Sequence, residues 1–255
     1  MCGRVIRSVE IDILTIFPGM FYGPLSESIL GRAQEKGILT VRIHDIRDFS
    51  TSRHRVVDDY SFGGGPGMVM KAEPIATATE HALAARMATG GGPSRVIMTT
   101  PVGVTFSQDK AREFALCDHL VIICGHYEGV DERVMGLVTD RVSVGDYVLT
   151  GGELPAMIMV DAIARLLPGA LGDEESASSD SFWDGILDYP HYTRPRVWRG
   201  LEVPEVLLSG DHERIRIWRR KQALKRTLQW RPDLLDQVEL TGEDAELLKQ
   251  VMEDS

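Results

Sequence analysis

Cysteine is scarce in this chain: Cys2, Cys117 and Cys124 are the only three in 255 residues, and none forms a CxxC pair. That excludes a disulfide framework and a thiolate-built zinc cage. The seven histidines show no HExxH or other ligand spacing, so no metal-binding residue is assigned. No apolar run approaches the roughly 20 residues a membrane helix needs, and the stretch before Ile11 lacks the apolar core of a signal peptide. The expectation is a soluble, cytoplasmic protein with no membrane partner. Basic residues are also the minority, 28 Lys+Arg against 38 Asp+Glu for a formal net charge of -10. As an average, that argues against a nucleic-acid partner, because phosphates are neutralised by Lys and Arg.

What is present is an ordinary globular composition, 43% hydrophobic and 26% charged, in a chain long enough for one large domain or one with a smaller companion. Short β-branched runs at Ile11–Phe17, Val41–His44, Arg95–Met98 and Leu120–Cys124 predict strands. Helical patterns at Ser26–Lys36, Glu73–Met87 and Ser107–Leu116 lie between them. The alternation predicts an α/β fold with a largely parallel, buried sheet, whose ligands should sit beyond the carboxyl ends of the strands. A further helix is expected over Leu154–Leu167, apolar nearly all round and therefore buried.

Composition then changes abruptly. The stretch 171–188 carries six acids and no basic residue, which reads as a flexible acidic linker between a domain over 1–170 and another over 189–255. Residues 189–232 hold eleven basic residues against four acids, whereas 233–255 holds eight acids and one lysine. All four tryptophans, Trp183, Trp198, Trp218 and Trp230, follow residue 182. A helix begun by Asp211 as N-cap, with Ile217, Leu224 and Leu228 on one stripe, leaves a mostly basic surface, and basic residues interleaved with aromatics suit RNA.

The loops carry the chemistry. Tyr60 to Met68 contains four glycines in five positions, matching neither a Walker loop nor GxGxxG. Thr99–Pro101 follows the third strand, Gly125–Gly129 the fourth, and Gly145–Gly152 precedes the apolar helix. Were the strands neighbours, these loops would converge as a crevice of backbone donors and acceptors, suited to a neutral or zwitterionic organic cofactor. Glu128 is placed there either to read a base edge or as a solvated carboxylate. Asp161 and Arg165 stand at i and i+4, the favourable order for an intrahelical ion pair, although Arg165 is equally placed to face a group developing negative charge. A carboxylate from the linker is a reasonable proton acceptor, and composition does not choose among Asp180, Asp184 and Asp188.

Six strings narrow these options: Ile16–Phe21, Tyr60–Met70, Gly125–Arg133, Ser143–Met157, Pro190–Pro195 and Val206–His212. Together they resemble the bacterial tRNA (guanine-N1)-methyltransferase family, which modifies guanosine 37 beside the anticodon, from about Ile11 to Leu235. The resemblance implies a SPOUT-class α/β domain with a deep trefoil knot and a parallel sheet, a small α-helical C-terminal domain, and a homodimer whose sites use both chains. Unaided periodicity points away from a knot.

By the same resemblance, S-adenosylmethionine lies against Thr99, Thr100, Pro101, Gly125, Tyr127, Gly129, Ser143, Val144, Gly145, Tyr147, Leu149, Gly151, Gly152 and Pro155. Guanine is held near Gly67 and Glu128. His191, Arg194, Arg219 and Arg220 are the further tRNA contacts, and Asp180 and Arg165 are the catalytic pair. His126 departs from the Arg often found after the first glycine of its loop. The family is also described as using magnesium, for which no site is evident in the residues. Two other readings are a non-catalytic RNA-binding module on the same basic surface and a nucleotide-dependent doubly wound enzyme. The missing Walker and GxGxxG patterns weigh against the latter.

Overall fold

The computed structural model describes residues 8–171 and 180–253. The chain divides into two compact units, Met1–Glu174 and Glu175–Ser255. The first contains β1 (Val9–Thr15), α1 (Tyr22–Ser26), α2 (Ser28–Glu35), β2 (Leu39–Asp45), the short pair β3 (Asp58–Asp59) and β4 (Val69–Met70), and α3 (Ala72–Ala88). It continues with β5 (Arg95–Thr105), α4 (Gln108–Ala115), β6 (His119–Cys124), β7 (Asp140–Ser143) and α5 (Glu153–Ala164). Five strands form one sheet in the order β2-β1-β6-β5-β7, every pair parallel.

Both sheet faces are covered, which is why β6 is buried along its whole length. Ile11, Ile13, Leu120 and Ile122 face a core completed by α2, α4 and α5, whereas Leu14, Val121 and Ile123 face Ile75, Ala78 and Ala82 of α3. Ser107 caps α4, its hydroxyl accepting the Lys110 N–H. The helix expected over Ser26–Lys36 is found as α2, which the extended Glu27 (ψ 159°) separates from α1 and which Ser28 opens with a positive φ of 53°. β7 has no counterpart among the expected strands: Asp-Arg-Val-Ser offers no apolar period, and pairing with β5 makes it a strand. α5 also differs from expectation, since Leu154 and Ile158 are 47% and 46% exposed.

One buried polar cluster spans the sheet. Asp12 on β1 is 1% exposed, accepts the Nε of Arg42 on β2 at 2.8 Å, and faces Nε2 of His44 and Nε2 of His119, each 2.6 Å away. Nδ1 of His119 meets Ser94 Oγ at 2.6 Å. Burial opposes ionisation of Asp12, but the bonds from His119, His44 and Arg42 outweigh it and hold the carboxyl well below the usual range.

The second unit contains β8 (Val197–Trp198), β9 (Leu201–Glu202), α6 (His212–Trp230) and α7 (Gly242–Glu253). Asp211 caps α6 as expected, accepting the Arg214 N–H at 3.1 Å. Ile186, Ala223, Leu224 and Leu247 form the core, with Ile217 packed against it. Of the stretch expected to be a linker, residues 172–179 lie outside the described residues. The remainder corrects the expectation, because it is folded onto α6. Ile186 is buried, its carbonyl accepts the Phe182 N–H at 2.8 Å, and the Leu187 N–H donates to Thr227 Oγ1 at 2.9 Å. The acid count hid Ile186, whose burial accompanies this packing. The oppositely charged segments are neighbours too: Arg216 binds Glu243 at 2.6 Å, and Arg220 binds Asp244 at 2.6 and 3.0 Å, holding that carboxyl at about 2.

Asp12→Asn removes the charge on which Arg42, His44 and His119 converge, and should cost about 3 kcal/mol in chemical denaturation. Because the folded-state value of Asp12 is depressed, its contribution is complete above pH ~4 and is lost as pH falls below that. The variant should therefore flatten the acid limb of the stability profile.

Candidate functional site

The crevice forms where three neighbouring strands end together. β5 and β7 pair through Thr99 and Val142, lose register, and resume at Val104, so residues 100–103 leave the ladder. The loop after β7 then turns back onto the loop after β6. The Gly152 N–H donates to the Gly125 carbonyl at 2.9 Å, and His126 and Gly151 form an antiparallel bridge. This return needs glycine, because a Cβ on residue 152 would collide with Thr99 Oγ1 and lie 2.7 Å from Cys124 Cα. Thr99 Oγ1 is itself fixed by donating to the Ile123 carbonyl at 3.0 Å.

The enclosed cavity has a volume of about 700 Å³, within the usual span of small-molecule sites. Every residue assigned to cofactor contact lines it. Thr99, Thr100 and Pro101 come from β5, and Gly125, Tyr127 and Gly129 from the loop after β6. Ser143, Val144, Gly145, Tyr147, Leu149, Gly151 and Gly152 follow along and after β7, and Pro155 lies in the first turn of α5. Local bonds shape the third wall: Ser143 Oγ accepts the Gly145 N–H at 3.2 Å, and Tyr147 Oη donates to the Val144 carbonyl at 3.1 Å. Charged groups in the lining are few, chiefly Glu128, Glu132 and Arg141. Burial, with Glu153 nearby, pushes the Cys124 thiol well up, which leaves it a poor nucleophile.

Glu128 joins this wall to the glycine-rich loop. Its N–H donates to the Met68 carbonyl at 3.0 Å, and the Met70 N–H donates to the Gly129 carbonyl at 2.9 Å. Gly67 has φ +79°, and a Cβ there would sit 2.5 Å from Glu128 Cγ. The two residues assigned to guanine thus face one another, although Gly67 does not line the cavity.

Arg165 is the C-cap residue of α5, its N–H donating to the Asp161 carbonyl at 3.2 Å. Asp180, in the second unit, is exposed, and its carbonyl accepts the Trp183 N–H at 3.2 Å. It lines a separate cavity of about 450 Å³ with Asp184, Asp188, Arg219 and Arg220. His191 faces Asp188 Oδ2 at 2.6 Å, its ring 4.7 Å from that of Tyr189, and Arg219 stacks over Tyr189 at 4.9 Å. Arg194 lines an adjoining cavity of about 490 Å³ with His191 and Tyr192. Arg220 is placed differently from a solvent-facing RNA contact, because Asp244 and Asp184 hold its guanidinium inside the unit.

His126, Glu132 and Arg141 also line the main cavity, and Glu153 lies behind it. His126 and Glu132 were within reach of sequence reasoning as neighbours in the Gly125–Arg133 string. Arg141 was not, because it depends on the unrecognised β7. Among the described residues, no group of three or more His, Cys, Asp or Glu side chains is arranged to hold a metal ion. The residues present therefore do not fit a protein-built magnesium site. Among the described residues, no helix is long and apolar enough to cross a membrane.

A neutral, glycine-walled crevice beyond the carboxyl ends of parallel strands makes the first unit an α/β ligand-binding domain. Comparison with known proteins is more specific. A family model for tRNA (Guanine-1)-methyltransferase TrmD matches residues 9–237. Proteins named tRNA (guanine-N(1)-)-methyltransferase are similar to it along nearly their whole lengths. That of Moorella thermoacetica is 57% identical, covering 95% of this chain and 96% of its own. Those of Pelotomaculum thermopropionicum and Dictyoglomus turgidum are 56% and 52% identical, covering 96% and 95% of this chain and 96% of each relative. The chain belongs to the tRNA (Guanine-1)-methyltransferase family, as its motifs implied.

Gly152→Ala should lower stability by about 1–3 kcal/mol, because the added methyl group has no room beside Thr99 and Cys124. Thermal unfolding checks this; an unchanged Tm would show that the loop can retreat.

Proposed function

We propose that the protein transfers a methyl group from S-adenosylmethionine to N1 of guanosine 37 in tRNA. The observation that carries the cofactor reading is the convergence of all fourteen assigned residues, from three separate stretches of chain, on one cavity of suitable volume. Its walls fit the ligand: backbone amides and carbonyls with few charges suit a zwitterion, and Gly125, Gly151 and Gly152 let the chain approach a flat ring closely. Bound there, S-adenosylmethionine supplies an electrophilic methyl group on a sulfonium centre.

The remaining chemistry falls to the chain. Guanine N1 carries a proton at neutral pH and is poorly nucleophilic, so Asp180 accepts that proton as N1 bonds to the methyl carbon and the carbon–sulfur bond breaks. Electron density pushed onto O6 is offset by the guanidinium of Arg165, a cation with no proton to lose. Gly67 and Glu128 position the base, and holding the two substrates in line contributes much of the remaining acceleration.

In this reading residues 1–170 hold the cofactor and 189–255, with 180–188 folded against them, hold tRNA in a cytoplasmic enzyme. The SPOUT-class trefoil knot accords with the return of the 143–152 loop onto Gly125 and His126. A homodimer would cover Leu154 and Ile158, which lie one helical turn apart on the outer side of α5. The basic surface for tRNA is narrower than a count of charges suggests. Arg216, Arg220 and Arg231 are each paired with acids of the same unit, whereas Arg194 and Arg219 line the cavity beside Tyr189 and Tyr192.

Labelled S-adenosylmethionine incubated with unmodified tRNA bearing guanosine at positions 36 and 37 should place label at N1 of guanosine 37, and its absence sinks the proposal. Asp180→Ala should lower kcat by roughly 10²–10⁴-fold. Undiminished transfer by that variant would remove Asp180 as the base. Arg165→Ala should lower turnover about 10²-fold while cofactor affinity is retained. An equal loss of affinity would instead assign Arg165 a structural role beside Asp161.

A further inference from the structure

Glu153 is the first residue of α5, and it is 1% exposed. A buried carboxylate is costly unless partners hold its charge. Thr15, at the end of β1, donates its hydroxyl to Oε1 at 2.7 Å, and His126 places Nε2 3.6 Å from Oε2. The positive end of the α5 helix dipole also favours an anion in its first turn. Thr15 Oγ1 accepts the Phe17 N–H at 2.9 Å, and the Phe17 ring lies 4.8 Å from the imidazole of His126. The guanidinium of Arg47 stands 5.5 Å from the other partner, the Phe17 ring. Gly151 lies against both members of the pair, and a Cβ on it would collide with Glu153 Oε2 and His126 Nε2.

Glu153 therefore touches His126 from the wall after β6 and Gly151 from the wall after β7, and Thr15 ties it to the sheet. His126 has a side chain 16% exposed and lines the crevice in front of this carboxylate. The other titratable groups lining that cavity are Tyr127, Glu128, Glu132, Arg141 and Tyr147, with Cys124 buried beside it.

We propose that Glu153 is a positioning residue which, acting through His126, holds the two glycine-rich walls of the crevice at the separation S-adenosylmethionine requires. The inference rests on the cofactor reading given above. Neither Glu153 nor His126 touches the reacting atoms, so their effect falls on cofactor affinity rather than on the chemical step.

Glu153→Gln keeps the volume and an acceptor for Thr15 while removing the negative charge that faces His126. In the full chain, calorimetric titration with S-adenosylmethionine should show affinity weakened about tenfold, or about 1.4 kcal/mol. The KM for S-adenosylmethionine should rise with it, and kcat on tRNA should change far less. His126→Ala should lose a similar factor, and the double variant no more than the worse single one. Wild-type affinity with a lowered Tm would overturn the proposal by making Glu153 merely structural, and additive losses would overturn its action through His126. Should Glu153→Gln fail to fold, His126→Ala decides: weakened binding at unchanged Tm supports the proposal, and unchanged binding overturns it. Wild-type protein that binds no S-adenosylmethionine would remove the cofactor reading itself, before any variant is compared.

Discussion

The hydrogen bond from the Gly152 N–H to the Gly125 carbonyl is the constraint on which the site depends. It joins loops that leave two different strands of a parallel sheet, and it exists only because residue 152 has no side chain to strike Thr99. Once the loops are joined, β5 supplies the third wall by leaving register with β7 after Thr99. A cavity built in this way has few charged groups in its lining, and hydrogen bonds within the loops fix its shape.

Buried charge supports this frame from two places. The Asp12 cluster crosslinks β1, β2 and β6 through Arg42, His44 and His119, which all converge on one buried carboxylate. Glu153 carries the same logic to the floor of the crevice, where Thr15 links β1 to the first turn of α5. The first cluster concerns the sheet, and the second bears directly on loop positions. Both follow one physical rule, that an interior carboxylate persists only when its oxygens are occupied.

In the second unit, electrostatics works chiefly within the fold. The segment with eleven basic residues and the acidic tail, which look like separate features along the chain, interlock where Arg216 meets Glu243 and Arg220 meets Asp244. Much of the apparent basic field is thereby neutralised. The aromatic and arginine groups around Tyr189 are left as the more distinctive surface for an exposed base.

The α/β alternation, four of the five main strands, the cap Asp211, and the loops that carry the site were legible in the sequence. Each is local: a β-branched run, an N-cap or a glycine cluster announces itself within a few residues. Family motifs also marked the positions that line the crevice. The strand β7, the packing of residues 180–188 on α6, the pairing of Arg220 and the burial of Glu153 were not. Asp140–Ser143 becomes a strand only because β5 offers it a ladder, and Ile186 is buried only because α6 and α7 form a core around it. Glu153 looks like an ordinary first-turn acid until the fold brings Thr15 and His126 to its two oxygens. The sequence by itself determined those strands, helices and loops whose signals are local. Only the tertiary structure decided which charges face one another, because such pairs are set by the crossing of distant segments.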